Sequence, residues 1–292
     1  MPSKRLSLKN YVDGIRNGDR LILSRAITLV ESQLPSDRTL AEQLLSEISG
    51  VQKDAIRIAI TGVPGVGKST FIEAFGSFLT TQNKKVAVLS VDPTSQRSKG
   101  SIMGDKTRMD TLSYNPLAYV RPSPTGGSLG GVTNSTSEAI LLCESAGYEV
   151  IIVETVGVGQ SETIVKEMVD FFLLLMLPGA GDELQGIKRG IMEMADLVAI
   201  NKADENQLKA KQAQIEYRNA LHLFPATASG WIPKVTTCSA IQQTGLSEIW
   251  EQIKAYEIAL KSNGFWQRQR ENQRIAWMHR YNLEHIIFTV CG

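Results

Sequence analysis

One short motif restricts the fold of this chain more than any other feature. The stretch Gly62-Val-Pro-Gly-Val-Gly-Lys68-Ser69 fits the G-x-x-x-x-G-K-[S/T] pattern of a phosphate-binding loop. It follows an apolar run (Ile56–Ile60) and precedes an amphipathic stretch (Thr70–Leu79), which predict a strand and a helix. A phosphate-binding loop needs this context, because the N–H groups that face the anion belong to the loop and to the first helical turn. The motif therefore predicts an α/β domain with a phosphate-containing ligand.

The residue types in the motif suggest how each part contributes. The glycines let the backbone curl around an anion, Lys68 can reach the β- and γ-phosphates, and the Ser69 hydroxyl suits Mg²⁺, which prefers oxygen ligands. The residues predicted to bind the phosphates are Gly62, Pro64, Gly65, Val66, Gly67, Lys68, Ser69 and Thr70.

Apolar runs of strand length alternate with amphipathic stretches along most of the chain. Several runs are almost continuously apolar, as in strands that are buried on both faces, so we expect a mostly parallel sheet flanked by helices. Ligands of such sheets bind beyond the carboxyl ends of the strands. The predicted strands are Ile56–Ile60, Val86–Val91, Leu117–Val120, Val150–Val153, Phe171–Leu177, Leu197–Ile200 and Val235–Cys238.

The two ends of the chain have helical patterns instead. Apolar residues recur at helical spacing on both sides of Pro35, and again after Gly245 and from Phe265 to His285. We therefore divide the chain into an N-terminal helical segment (residues 1–50), an α/β domain (51–262) and a C-terminal helical arm (263–292).

Two further loops predict that the ligand is a guanine nucleotide. Asn201-Lys202-Ala203-Asp204 follows a predicted strand, and the Asp204 carboxylate can accept hydrogen bonds from the ring N–H and the exocyclic amine of guanine. Adenine lacks this pair of donors, so it would leave the carboxylate unpaired. We expect Asn201 to tie this loop to the phosphate-binding loop and the Lys202 stem to cover the base. The backbone N–H groups of a second loop, formed by Ser239, Ala240 and Ile241, suit the guanine carbonyl oxygen.

Acidic residues near other strand ends are candidates for a magnesium site. Glu154 ends one predicted strand and Asp92 follows another, where it would lie beside the phosphate-binding loop if the first two strands are neighbours. Asp105 lies in the polar loop after Asp92, and Gly157 would let a backbone N–H approach the γ-phosphate.

No glutamine directly follows Gly157, and Gln160 comes three residues later. We therefore predict slow intrinsic hydrolysis that a partner or dimer formation accelerates, with four cations available for the transition-state charge. Between Pro178 and Arg189, where glycines precede a charged helix start, the sequence fits either a third switch that orders with the nucleotide state or an ordinary loop. The available cations are Lys106, Arg108, Lys188 and Arg189.

Composition excludes several classes of protein. The formal net charge is +1, and no basic run offers a surface to nucleic acid. The cysteines, Cys143, Cys238 and Cys291, stand far apart, as is typical of buried thiols in a reducing compartment. The chain shows no secretory signal, and its most apolar run is too short to span a bilayer. We expect a cytoplasmic protein that binds neither nucleic acid nor membrane.

Several sequence strings together resemble the MeaB/ArgK group of GTPases. Members of this group are chaperones of adenosylcobalamin-dependent acyl-CoA mutases, and the human methylmalonic aciduria type A protein is one of these chaperones. The resemblance spans about residues 55 to 250 and is strongest in GSIMGDKTRM and GDELQGIKRGI, which are more specific than a phosphate-binding loop. The other strings that carry it are VPGVGKST, SVDPTS, PTGGSLGGVT, IIVETVGVGQSE and NKAD.

The resemblance implies a phosphate-binding-loop NTPase fold of the SIMIBI type, GTP or GDP bound with Mg²⁺, slow hydrolysis and a homodimer. It implies methylmalonyl-CoA mutase, or a related mutase, as a partner whose adenosylcobalamin loading and protection follow the nucleotide cycle. Lys68 would serve the phosphates, and residues 177–188, with Gln185 and Lys188, would form the switch that responds to the mutase. Asp105, Glu154 and Gly157 would join Lys68 in catalysis, and the metal ligands would be Ser69, Asp92, Asp105 and Glu154.

The resemblance also implies a shortened dimerisation arm, because members of the group often continue further than Ile286–Gly292. Three alternatives remain open at this point. A metal-insertion GTPase would use Cys/His clusters, whereas the histidines here are scattered. A kinase of a transport system would need a second substrate pocket with a base, and a pure binding module would show no turnover. The three histidines are His222, His279 and His285.

Overall fold

The computed structural model describes most of the chain. The described residues are 5–32, 34–49, 54–91, 109–121, 129–155, 161–179 and 189–291, with side chains omitted at 129–134, 161, 189 and 280–291.

A seven-stranded sheet forms the centre of the molecule. All neighbouring strands run parallel, in the order β3-β2-β4-β1-β5-β6-β7. The inner strands are buried along nearly their whole length, which explains their continuously apolar sequences. The strands are β1 (Ile56–Gly62), β2 (Val86–Val91), β3 (Ala118–Arg121), β4 (Val150–Thr155), β5 (Phe171–Met176), β6 (Leu197–Ile200) and β7 (Lys234–Thr237).

Helices connect the strands and extend the domain at both ends. Three helices precede the sheet and pack on α6, and the last helix contacts α6 and α10. The helices are α1 (Leu8–Arg16), α2 (Arg20–Val30), α3 (Pro35–Ile48), α4 (Lys68–Thr81), α5 (Asp110–Tyr114), α6 (Leu129–Ser145), α7 (Ser161–Lys166), α8 (Arg189–Met194), α9 (Gln207–Leu221), α10 (Leu246–Ser262) and α11 (Phe265–Cys291).

The predicted α/β class with a parallel sheet is confirmed, and every predicted strand is present within two residues of its expected bounds. The prediction that Asp92 lies beside the phosphate-binding loop required the first two strands to be neighbours, and the structure does not meet this condition. β2 pairs with β3 and β4, and β4 lies between β2 and β1, so the first two strands of the chain are not neighbours. The acidic strand end beside the phosphate-binding loop is therefore that of β4. The helix at the C-terminus continues past His285 to Cys291.

A buried cluster of four charges attaches α11 to the amino end of the sheet, opposite the phosphate-binding loop. Arg57 donates to both oxygens of Glu144, at 2.8 and 2.9 Å, from the second residue of β1 to α6. Arg270 on α11 donates to Glu144 at 2.9 Å and to Asp170, just before β5, at 2.6 Å. Burial alone would raise the pKa of Glu144, but the two guanidinium groups outweigh it and lower that pKa. The cluster joins the base of the sheet to two helices.

Candidate nucleotide site

The phosphate-binding loop turns between β1 and α4. Gly65 and Gly67 have φ of +77° and +84°, in the left-handed region that favours glycine, and Gly67 is the N-cap of α4. A Cβ atom on Gly62 would lie 2.5 Å from the Leu175 carbonyl oxygen, so β5 leaves no room for a side chain there. Because glycine cannot cap the helix with a side chain, the N–H groups of the first turn of α4 are left for an anion.

Lys68 begins α4 and bends back over the loop. Its Nζ donates to the Gly62 carbonyl oxygen at 2.9 Å. Burial lowers the pKa of Lys68, while the carboxylates of Glu154 and Glu162 act in the opposite direction and favour the charged form. The ammonium group is therefore partly withdrawn from water and faces negative charge inside the site.

Glu154 lies at the end of β4, in register with Ile60 of β1 and Ser90 of β2. The Ser69 hydroxyl donates to Glu154 Oε1 at 3.2 Å and the Ser90 hydroxyl to Oε2 at 3.1 Å. Glu154 is only 7% exposed, so these hydrogen bonds hold a carboxylate in a largely water-free place. The sheet order thus brings together two of the predicted metal ligands, Ser69 and Glu154.

The chemistry of these two side chains fits Mg²⁺, which binds hydroxyl and carboxylate oxygens and takes its remaining ligands from phosphates and water. Within the described ranges, no group of three or more His, Cys, Asp or Glu side chains is arranged to hold a metal ion. The other predicted ligands, Asp92 and Asp105, lie outside the described residues, as does Gly157.

Asn201 joins three loops at the carboxyl ends of β1, β6 and β7. Its Nδ2 donates to the Val66 carbonyl oxygen of the phosphate-binding loop at 2.8 Å. Its Oδ1 accepts from the Ala240 N–H at 3.1 Å and from the Cys238 thiol at 3.7 Å. Asn201 is 1% exposed, so one buried amide fixes the two predicted base-reading loops relative to the phosphate-binding loop.

Asp204 presents a buried acceptor beside this junction. Its Oδ1 atom is shielded from water and has no hydrogen-bond partner among the described residues. Because a buried carboxylate oxygen without a donor is costly, this atom is placed to gain from a ligand that carries N–H groups. Lys202 has a φ of +58°, and its Nζ lies 3.9 Å from Glu205 on the surface.

The second loop turns tightly after β7. The Ser239 hydroxyl accepts from the Gln242 N–H at 3.0 Å, and Ser239 pairs with Thr244 through both backbone groups. Ser239 and Ala240 are buried, whereas Ile241 is 73% exposed at the tip. The loop therefore places small residues inward, toward Asn201.

Sequence analysis does not identify two residues of the candidate site. Ser90 lies within a predicted strand, and only the pairing of β2 with β4 brings its hydroxyl to Glu154. Glu162 lies in the first turn of α7, fully buried, and its charge acts on Lys68. The remaining predicted residues, Gln160, Gln185, Lys188, Lys106 and Arg108, lie outside the described residues.

No helix in the described part of the chain is long and apolar enough to cross a bilayer.

The buried thiols of Cys143 and Cys238 are free, and burial raises the pKa of Cys238 to about 12. A thiol in this state is a poor nucleophile and metal ligand.

Comparisons with known proteins identify GTPases among the relatives of this chain. The chain is 52% identical over 261 residues to a putative GTPase from Caulobacter vibrioides, covering 89% of this chain and 80% of that protein. It is 46% identical over 282 residues to GTPase ArgK of Escherichia coli, covering 96% and 85%. It is 46% identical over 285 residues to the mitochondrial methylmalonic aciduria type A homolog of Mus musculus, covering 94% and 69%.

A solved structure shares the whole architecture. The crystal structure of a LAO/AO transport system kinase superposes with a TM-score of 0.83 at 39% identity, covering 97% of this chain and 87% of that one. The family model described as methylmalonyl Co-A mutase-associated GTPase MeaB matches residues 23–292. The predictions of the family, of the phosphate-binding-loop fold and of a GTPase are therefore confirmed: this chain belongs to the MeaB family of methylmalonyl-CoA mutase-associated GTPases.

Proposed function

We propose that this GTPase is a chaperone of methylmalonyl-CoA mutase or a related cobalamin-dependent acyl-CoA mutase. Its nucleotide cycle gates the loading of adenosylcobalamin and protects the mutase from inactivated cofactor. The proposal is supported by the family description, which names association with methylmalonyl-CoA mutase, and by relatives named for methylmalonic aciduria. A homodimer formed through residues 263–292 and a cytoplasmic location belong to the same proposal, as does the division at residues 50 and 262.

The observation that carries the nucleotide part of the proposal is the buried Oδ1 atom of Asp204, beside the junction that Asn201 makes with Val66. Guanine supplies two N–H donors on one edge, so it satisfies this carboxylate, and adenine does not. Of the three backbone N–H groups predicted for the guanine carbonyl oxygen, those of Ser239 and Ala240 donate to Thr244 and to Asn201. The Ile241 N–H is therefore the one proposed to face the guanine carbonyl oxygen.

At the other end of the nucleotide, the loop from Gly62 to Thr70 holds the phosphates. Its backbone N–H groups and the dipole of α4 attract the negative charge, and Lys68 moves from the Gly62 carbonyl to the β- and γ-phosphates. Ser69 and Glu154 hold Mg²⁺, with Asp92 and Asp105 as further ligands. When bound, the metal neutralises charge on the phosphate oxygens.

The chain's own residues favour a slow reaction, because no glutamine directly follows Gly157 to orient the attacking water. Lys68 stabilises charge on the transferred phosphoryl group, and the Gly157 N–H approaches the γ-phosphate. Asp105 and Glu154 orient the reacting groups. Residues 177–188, with Gln185 and Lys188, form the switch through which the mutase accelerates hydrolysis.

GTP hydrolysis by the purified protein, measured with and without an acyl-CoA mutase from the same organism, tests the proposal. We expect hydrolysis of GTP but not ATP, and acceleration by the mutase. Lys188→Ala should keep nucleotide binding and lose the acceleration, whereas Lys211→Ala, on the exposed side of α9, should behave as the wild type. GTP turnover that the mutase does not change would overturn the proposed client.

A second candidate function comes from the structural relative described as a transport system kinase. A kinase would transfer the γ-phosphoryl group to an acceptor other than water. Incubation with γ-labelled GTP and a basic amino acid or its binding protein distinguishes the two functions. Label found only in free phosphate supports the GTPase, and label on the acceptor supports the kinase.

A further inference from the structure

The Glu154 carboxylate is held by two hydroxyl groups, one at each oxygen. Ser69 donates to Oε1 at 3.2 Å from the start of α4. Ser90 donates to Oε2 at 3.1 Å from β2, two strands away from the phosphate-binding loop. Ser69 belongs to the nucleotide-binding motif, whereas nothing in that motif accounts for Ser90.

Ser90 is also unusual for its surroundings. It is the one polar residue of β2, whose sequence is VAVLSV, and it is 7% exposed. A buried hydroxyl costs free energy unless it is hydrogen-bonded, and an alanine would fit this strand without that requirement. Because Ser90 and Glu154 are register partners in parallel strands, their side chains leave the same face of the sheet.

We propose that Ser90 is a positioning residue for the magnesium site. By donating to Oε2, it fixes the rotation of the Glu154 carboxylate so that Oε1 faces Ser69 and the metal. The inference rests on the proposed role of Glu154 in holding Mg²⁺. It adds a residue outside the nucleotide motifs that sets how firmly the site binds the metal–nucleotide complex.

The orientation of the Glu154 carboxylate matters because few protein side chains are proposed to bind the metal. A carboxylate with one oxygen fixed can still turn about its terminal torsion, which has broad minima, whereas hydrogen bonds at both oxygens define its plane. Loss of a partner behind a metal-binding group weakens metal affinity by about 10- to 100-fold. We expect Ser90→Ala to lie near the lower limit, because the Ser69 hydrogen bond remains.

The test measures Mg²⁺ binding without turnover. The dissociation rate of fluorescent GDP is followed over a Mg²⁺ titration for the wild type, Ser90→Ala, Ser90→Thr, Glu154→Gln and the double variant Ser90→Ala/Glu154→Gln. Ser113→Ala is the matched control, because that hydroxyl donates to the Met109 carbonyl oxygen and not to Glu154. Melting temperatures in EDTA report any general loss of stability.

We expect Ser90→Ala to raise the Mg²⁺ concentration for half-maximal retention of GDP by about tenfold. Ser90→Thr, which keeps the hydroxyl, and Ser113→Ala should stay within about twofold of the wild type. The double variant should match Glu154→Gln alone, because Ser90 acts only through Glu154. The melting temperature of Ser90→Ala in EDTA should fall by about a few degrees, the cost of one lost hydrogen bond to a buried carboxylate. The shift in Mg²⁺ dependence is separate from this loss, because it requires the metal.

Two results would overturn the inference in different ways. Wild-type Mg²⁺ dependence in Ser90→Ala, with a shift in Glu154→Gln, would remove Ser90 and leave the proposed metal role of Glu154 standing. Unchanged Mg²⁺ dependence in Glu154→Gln would reject that metal role, and the positioning role of Ser90 with it. A Ser90→Ala effect that adds fully to Glu154→Gln would also contradict the inference.

Discussion

At the scale of single residues, the Lys68 ammonium group is partly buried and lies where either a backbone carbonyl or a nucleotide phosphate can accept its hydrogen bond. Its ammonium group bonds to a backbone carbonyl, and burial lowers its pKa against the opposing effect of Glu154 and Glu162. A neutral carbonyl oxygen binds a cation more weakly than a charged phosphate oxygen does. The ammonium group therefore gains interaction free energy when it leaves the carbonyl for a nucleotide phosphate. The proposed role of Lys68 follows from this difference.

Replacing Lys68 should therefore remove transition-state stabilisation. We expect Lys68→Ala to lower GTP hydrolysis by about 10²-fold or more in single-turnover assays, because one preorganised donor to a developing charge contributes this much. Lys84→Ala is the control, since Lys84 pairs with Glu149 on the surface. Turnover close to that of the wild type would exclude Lys68 from the mechanism.

The residues of the site were predictable where the chemistry lies in a contiguous motif. Motif spacing predicts Lys68, Asn201 and Asp204 as candidates, because a loop after a strand fixes its own residues near the strand end. Ser90 and Glu162 are not among these candidates, because their roles depend on strand order and on the position of a short helix. Local sequence does not state which strands become neighbours.

At the scale of elements, the strands were predictable and their order was not. A run such as Phe171–Met176 is apolar throughout, so its burial on both faces can be read from the sequence. The separation of β1 from β2 by β4 arises from crossover connections, and these leave no local pattern. The prediction for Asp92 depended on that order.

Ion pairs and hydrogen bonds attach α11 to the base of the sheet. Arg270 lies in the cluster with Glu144 and Asp170, and its guanidinium also donates to the Ala55 carbonyl oxygen at 2.6 Å. Gln273, one turn later, donates to the Val169 carbonyl oxygen at 2.7 Å. The helix is thus held by polar contacts with the base of the sheet as well as by apolar packing.

Removal of the Arg270 charge should destabilise this attachment. We expect Arg270→Leu to lower the free energy of unfolding by about 3–5 kcal/mol, because buried carboxylates lose their partner. Arg274→Leu, one turn along the same helix, should have little effect, since Arg274 is 57% exposed and, among the described residues, forms an ion pair with Glu271 alone.

Denaturant unfolding and hydrogen exchange of α11 measure both variants. Increased exchange throughout α11 in Arg270→Leu alone would support the attachment. Equal stability of the two variants would mean that apolar packing holds the helix without the charge cluster.

At the scale of the whole molecule, the sheet brings distant parts of the chain to one edge. The phosphate-binding loop follows β1, Glu154 lies at the end of β4, and the two loops predicted to read the base follow β6 and β7. Asn201 joins the loops through hydrogen bonds to Val66 and Ala240. The opposite edge carries the charge cluster that holds α11, so nucleotide binding and attachment of the last helix occupy different ends of the sheet.

The central claim, that this edge recognises guanine through Asp204, is tested most directly by the nucleotide preference of Asp204→Asn. Xanthine carries a carbonyl where guanine carries its exocyclic amine, so an asparagine amide matches xanthine and opposes guanine. Binding and hydrolysis of GTP, XTP and ATP are measured for the wild type and Asp204→Asn, with Asp110→Asn as a surface control. We expect the variant to lose GTP affinity by about 10²-fold and to gain XTP affinity. An unchanged preference for GTP in Asp204→Asn would contradict the account.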